Sequence, residues 1–439
     1  MDGHATAPAT PTAAPARLRP KALREYLFAS LYLGVIGFGG GLSVLSNIRA
    51  LVVKRKRWLT EREFNNAVTV AQMLPGGAAA NCLAYIGLRF GGVRGALVGY
   101  AGFVFPGWAC VMALAMLYKH FGTTPHVETL LGGFNAAVVG IIAAICLKML
   151  RTAVTRMWQM GLAAGALLFS VVGDAPPGEV ALVSIAVGLG VDLGLKRARL
   201  ASLRRRKTPR QEEPPVVLPE DGAMLDHVSP PDPPETPAPK SGELRAAGWT
   251  IAALVAAAVV HGTHADADLI AIALSFFRTG LGAYGGGFAI VPHLKQVLAS
   301  HGWLTERQFA DAVAIGKVTP GPVLLLATFI GYVLHGWLGA VVATVAIFSA
   351  PFALVVGAGT WLDRVRSRRP VRAALRGLTP AVLGLMAAAM ISLGGLLTGE
   401  GEVAIAVAVT LTLSRFEVNP ALMLAICGVA RFAFKFAGI

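Results

Sequence analysis

The chain has 439 residues, with 39 Lys and Arg against 24 Asp and Glu, a net charge of +15; yet it is 55% hydrophobic, only 14% charged, and has a mean hydropathy of +0.63. So little charge cannot cover the surface of a soluble domain. The basic residues cluster between apolar segments, the positive-inside pattern of a membrane protein, which argues against nucleic acid as the partner and for a lipid bilayer.

In chain order, residues 1–24 read as a cytoplasmic tail. Positions 1–16 are rich in Ala, Pro and Thr, with no cleavable signal, and Arg17, Arg19, Lys21 and Arg24 follow. Residues 25–195 form a first membrane unit. It opens on an apolar stretch broken by Gly37-Phe38-Gly39-Gly40-Gly41 and continues through Trp58-Leu59-Thr60-Glu61-Arg62-Glu63-Phe64, Pro75-Gly76-Gly77 and long runs such as Ala96–Tyr118 and Gly133–Leu147. These runs are rich in Ala, Leu, Val and Gly without strand-like alternation, so helices are expected rather than a β-barrel. Residues 196–244 begin with Lys196, Arg197, Arg199 and Arg204–Lys207 and contain ten prolines. They read as a cytoplasmic linker. An unpaired apolar helix at 245–262 follows, and a second membrane unit fills 269–436.

The second unit repeats the first. Trp303-Leu304-Thr305-Glu306-Arg307-Gln308-Phe309, Ala283-Tyr284-Gly285-Gly286-Gly287, Pro320-Gly321, Ile330-Gly331 and Pro351 match their first-half partners at an offset of 244 to 246 residues. One unpaired crossing between the units inverts the second. Loop charge agrees: Lys54–Arg57 follow the first glycine motif but little besides Lys295 follows the second, whereas Arg364–Arg376 follow Pro351 and a weakly charged loop follows Pro106. The expected fold is all-α and polytopic, with two inverted homologous halves and broken helices. Basic residues on both flanks of 25–53 favour a re-entrant segment there, with a full crossing as the alternative.

Glycine triplets and proline break helices, and backbone groups freed in lipid need partners. Broken helices lining a cavity offer N–H groups and partial positive charge to an anion. Gly39, Gly40, Gly41, Pro75, Gly76, Gly77, Gly285, Gly286, Gly287, Pro320 and Gly321 are therefore candidate substrate-binding positions, the bland alternative being close helix packing. Lys317, three residues before Pro320, can supply charge; Asn81 and Thr319 can donate from amide and hydroxyl, or simply cap and pack. Glu61, Arg62, Glu306 and Arg307 are candidates for gating or coupling, or mere helix starts after Thr60 and Thr305. Asp311, where the first half has Asn66, is a further coupling candidate.

Cys82, Cys110, Cys146 and Cys427 all lie in apolar segments without metal-ligand spacing, and His261, His264, Asp266 and Asp268 read as a solvated turn. No cofactor, metal or catalytic constellation is expected.

The glycine motifs, the two W-L-T-E-R motifs, Pro75-Gly76-Gly77 and Phe105-Pro106-Gly107 together resemble the chromate ion transporter family of the long-chain type, over nearly the whole chain outside tail and linker. The resemblance implies energy-driven export of chromate across a bacterial inner membrane, and chromate resistance. Pro322 stands where the first half has Gly77. Chromate and sulfate are both tetrahedral dianions, so another oxyanion is the alternative substrate. A non-transporting scaffold or sensor is the alternative of another class, and a homodimer is compatible with the sequence.

Overall fold

The computed structural model describes residues 20–436 except 39–40, 123, 174–175, 206–266, 366–367, 398, 417 and 419. The linker from 206, the unpaired helix at 245–262, most of the tail, Gly39 and Gly40 thus lie outside the described residues. Within them the chain forms helices and no strand.

α1 (Pro20–Val35) leads to the glycine stretch, and α2 (Gly41–Arg49) with a π-turn at Ala50–Arg55 leads back. Lys56 pairs with Glu25 across the mouth of this hairpin. α3 (Glu61–Met73) starts at Thr60, whose hydroxyl accepts from the Glu63 N–H while the Glu63 carboxylate accepts from the Thr60 N–H. This reciprocal cap satisfies two of the donors that every helix start leaves open.

α4 (Ala78–Phe121) has 44 residues. As a straight rod it would measure ~66 Å, about twice the apolar thickness of a bilayer. It folds back at Gly91-Gly92, where Gly92 has φ 61° and ψ −150°, giving limbs α4a (78–90) and α4b (93–121). A Cβ on Gly87 would lie 2.2 Å from the Gly95 carbonyl oxygen, and one on Gly99 2.8 Å from that of Leu83. The limbs are therefore antiparallel, with their backbones in contact. Arg89 near the end of α4a pairs with Glu63 at the start of α3. α3 and α4a thus make a second hairpin whose apex is Pro75-Gly76-Gly77.

α5 (Pro125–Ala153), α6 (Met157–Val171) and α7 (Pro177–Arg205) complete the first half. α7 runs ten residues into the segment expected to be linker. Lys and Arg are good helix formers and suit a helix C-terminus.

The second half repeats this plan. α8 (Ala267–Leu281), a 3-10 turn (Gly285–Ile290) and α9 (Val291–Ser300) match the first hairpin. α10 (Glu306–Val318) has the same reciprocal cap between Thr305 and Gln308. A 3-10 turn (Val323–Leu325) precedes α11 (Leu326–Val365), which folds back at His335-Gly336 into α11a (326–334) and α11b (337–365). α12 (Arg369–Gly394), α13 (Glu400–Arg415) and α14 (Pro420–Phe436) follow.

The start of α3 sits near one end of α4b, by Arg89. The start of α10 sits at the other end: the Tyr118 hydroxyl donates to Asp311, and Arg307 pairs with Glu128 just beyond α4b. The two W-L-T-E-R loops thus flank opposite ends of one long helix. Five helical stretches among the described residues are long and apolar enough to cross a membrane. Large apolar side chains such as Phe105, Phe169, Leu182, Trp337 and Trp361 are exposed on the outer surface, as a lipid-facing wall requires.

Candidate functional site

The breaks of the two halves meet. The Gly76 N–H donates to the Ala283 carbonyl at 2.7 Å, and the Gly321 N–H donates to the Gly37 carbonyl at 3.0 Å. Gly76 matches Gly321 in the repeat, and Gly37 matches Ala283, so each half's Pro-Gly apex is latched to the other half's glycine loop by the same bond. Gly76 and Gly321 have φ of +107° and +104°, where a side chain is strained.

The apexes also touch each other. A Cβ on Gly77 would stand 3.0 Å from Pro322 Cβ, one on Gly76 would stand 2.7 Å from Pro351 Cβ, and one on Gly107 would stand 2.1 Å from the Pro320 carbonyl oxygen. Pro75–Gly77 and Pro320–Pro322 therefore face each other between the proline regions of α4b and α11b. α4a starts from Gly77 and the Val323–Leu325 turn from Pro322. Two helical N-termini, with N–H groups lacking intrahelical partners, are brought to one place.

Lys317, in the last turn of α10, is only partly exposed. Its Nζ lies 4.5 Å from the ring centroid of Phe288, the residue after Gly285-Gly286-Gly287. Gly287, at φ +94°, packs on Leu324 and Val323. The lysine, the second glycine loop and the second apex are thus neighbours. Lys317 makes no ion pair among the described residues.

Asn81 and Thr319 do other work than that expected of ligand donors. Asn81 is fully buried, and its amide donates to the Pro75 carbonyl at 2.8 Å and the Ala71 carbonyl at 3.3 Å. Its hydrogens hold the first apex closed, and its Oδ1 is buried without a hydrogen-bond partner. The Thr319 hydroxyl donates to the Ile315 carbonyl.

At the mouths, Glu61 pairs with Arg49 and Glu306 with Lys295, each at 2.8 Å and at equivalent places in the repeat. The hydrogen bonds from Arg49 hold the Glu61 carboxyl below its usual range. Such exposed pairs contribute little stability. Arg62 is exposed. Asp311 is only 3% exposed and accepts from Tyr118 at 2.9 Å and from Asn135 at 3.2 Å. A buried carboxylate held by two donors bridges the halves. The sequence repeat shows no sign of Tyr118, Asn135 or Phe288 as partners, because each contact joins elements that are not consecutive in the chain.

Paired broken hairpins, long apolar helices and a lipid-facing exterior define a multi-pass membrane protein of two homologous halves. The profile described as chromate transporter matches residues 24–191 and 270–432, and this chain belongs to that family of membrane transporters. A probable chromate transport protein of Synechococcus elongatus is 31% identical over 376 residues, 85% of this chain and 84% of that one. The chromate transport protein of Cupriavidus metallidurans is 30% identical over 377 residues, 84% of this chain and 82% of that one. The uncharacterized transporter YwrA of Bacillus subtilis is 28% identical over 162 residues, only 34% of this chain but 88% of its own length, so single-half relatives exist. No solved structure matches.

Proposed function

We propose that the protein is a secondary active transporter that exports chromate across the inner membrane and thereby confers chromate resistance. The observation that carries the reading is Lys317: an unpaired cation beside the place where both Pro-Gly apexes and two helical N-termini meet. A compact dianion with oxygen acceptors on all sides fits such donors. The two curated relatives above are named for chromate transport, which supplies the substrate. Backbone N–H groups and one lysine distinguish chromate from sulfate poorly, so sulfate is expected to compete.

In this reading Gly39, Gly40, Gly41 and Gly285, Gly286, Gly287 form the two loops that close over the anion. Pro75, Gly76, Gly77, Pro320 and Gly321 form the apexes, with Asn81 and Thr319 holding their shape. The reciprocal bonds Gly76–Ala283 and Gly321–Gly37 form a latch, and opening to either side breaks one of them. The halves lie inverted in the membrane, with the N-terminus and linker cytoplasmic. The opposite placement of the two W-L-T-E-R loops along α4b and the opposite loop charges support this. Alternating access then exchanges equivalent roles between the halves. Asp311 couples the cycle to protons, and Glu61, Arg62, Glu306 and Arg307 gate the mouths.

Labelled chromate uptake into inverted vesicles containing the protein tests the proposal. Uptake that depends on the protein and on membrane energy, and that falls with added sulfate, is expected. Vesicles with the folded protein that take up no more chromate than empty ones would overturn it.

A further inference from the structure

An apolar groove of about 350 Å³ lies away from the breaks, between α5, α6 and α12. Cys146, Leu147 and Leu150 line it from α5, Ala163 and Leu167 from α6, and Leu383 from α12. Leu147 and Leu150 are 40% and 46% exposed, so its wall opens outward. α5 and α12 are antiparallel here: Gly394 approaches Val139, while Leu383 and Leu150 share the groove's other end.

Each bounding helix carries an arginine at that end. Arg151 is four residues past Leu147, Arg156 is seven before Ala163 at the N-cap of α6, and Arg376 is seven before Leu383. Spacings of four and seven keep Arg151 and Arg376 on the groove side of their helices, and Arg156 stands at the N-cap that closes this end of α6. All three are exposed, and none makes an ion pair among the described residues. Arginine suits a phosphate because its planar fork can bind two oxygens at once.

We infer that this groove binds an anionic phospholipid, one acyl chain lying between α5, α6 and α12 and the phosphate held by Arg151, Arg156 and Arg376. Charge complementarity selects the occupant: an apolar slot ending in three unpaired cations matches an amphiphile with an apolar chain and an anionic head. A zwitterionic lipid would not neutralise them. None of the lining residues belongs to an apex, a glycine loop or α10.

The test uses the purified full-length protein in neutral detergent. Phosphatidylglycerol and phosphatidylcholine with identical acyl chains are added separately, and retained lipid and melting temperature are measured. Phosphatidylglycerol is expected to bind and stabilise preferentially. Each Arg→Gln change at 151, 156 or 376 should weaken its binding about fivefold, the equivalent of one basic residue at an anionic lipid surface. Ala387 also lines the groove from α12, and Ala387→Phe, which fills it and leaves every charge in place, should also reduce retention. Equal retention of both lipids overturns the inference. So does wild-type retention in both the triple Arg→Gln protein and Ala387→Phe. Stabilisation by glycerol phosphate as strong as by the lipid would overturn it too, by making the site one for soluble phosphate.

Discussion

The reciprocal latch makes an asymmetric prediction about two equivalent glycines. Gly76 and Gly321 share a positive φ, so alanine at either place adds backbone strain of about 1–3 kcal/mol. Their surroundings differ. A Cβ at Gly76 would meet Pro351 Cβ at 2.7 Å, a rigid ring fixed in α11b; one at Gly321 would meet the Leu325 Cδ1 at 3.0 Å, the tip of a flexible side chain, and the Gly107 Cα at an ordinary 3.9 Å. Overpacking against the ring adds about 1–3 kcal/mol more at Gly76. Gly76→Ala should therefore cost roughly 2–6 kcal/mol and Gly321→Ala roughly 1–3 kcal/mol. The assay is the fraction of full-length protein still monodisperse in detergent after heating through a series of temperatures. Gly76→Ala should lose its folded peak at a clearly lower temperature than Gly321→Ala, and both below wild type. Equal losses, or the reverse order, would refute the packing of the first apex against Pro351.

Three further outcomes follow from the same geometry. Gly87→Leu and Gly331→Leu should both abolish folded protein, because each side chain would start 2.2 Å from a facing carbonyl oxygen, whereas Gly161→Ala and Gly165→Ala, inside α6 with nothing within 4 Å, should melt no lower than wild type; a folded Gly87→Leu protein would show that the limbs of α4 are not packed as described. Single cysteines at Arg62 and His301, both exposed and introduced with Cys110 replaced, should react with impermeant reagents from opposite sides of the membrane; labelling from one side would contradict the inverted arrangement. Asp311→Asn keeps the shape of the carboxylate and an acceptor for Tyr118, so the protein should fold and bind chromate but lose the response of uptake to an imposed pH gradient; an unchanged response would remove Asp311 from coupling.

Much of this architecture is legible in the sequence because it is written twice. The register of Trp58–Phe64 with Trp303–Phe309 exposes the halves, and Thr60 and Thr305 announce the starts of α3 and α10 through their capping chemistry. Glycine triplets and Pro-Gly pairs inside apolar runs signal broken helices because those residues are poor in helix interiors whatever surrounds them. The turns at Gly91-Gly92 and His335-Gly336 are harder to read, since apolar residues of good helix propensity continue on both sides. Only the length of the run, too great for one crossing, hints at them. The partners of the breaks are not local at all. That Gly76 donates to Ala283, that Asn81 spends its amide on Ala71 and Pro75, and that Asp311 sits between Tyr118 and Asn135 are consequences of tertiary packing. Residue type names the candidates for a polar centre, while the division between groups holding the backbone and groups without an ion-pair partner, Lys317 above all, emerges only from the fold.

The central claim is that the anion passes the meeting point of the two apexes beside Lys317. Its most direct measurement is the concentration dependence of labelled chromate uptake into inverted vesicles by wild type, Lys317→Arg and Lys317→Ala, at matched amounts of folded protein. Lys317→Arg is expected to retain transport and Lys317→Ala to raise KM or abolish uptake, losing about 2 kcal/mol or more as an anion forfeits a charged hydrogen bond. Lys317→Ala kinetics indistinguishable from wild type would contradict it.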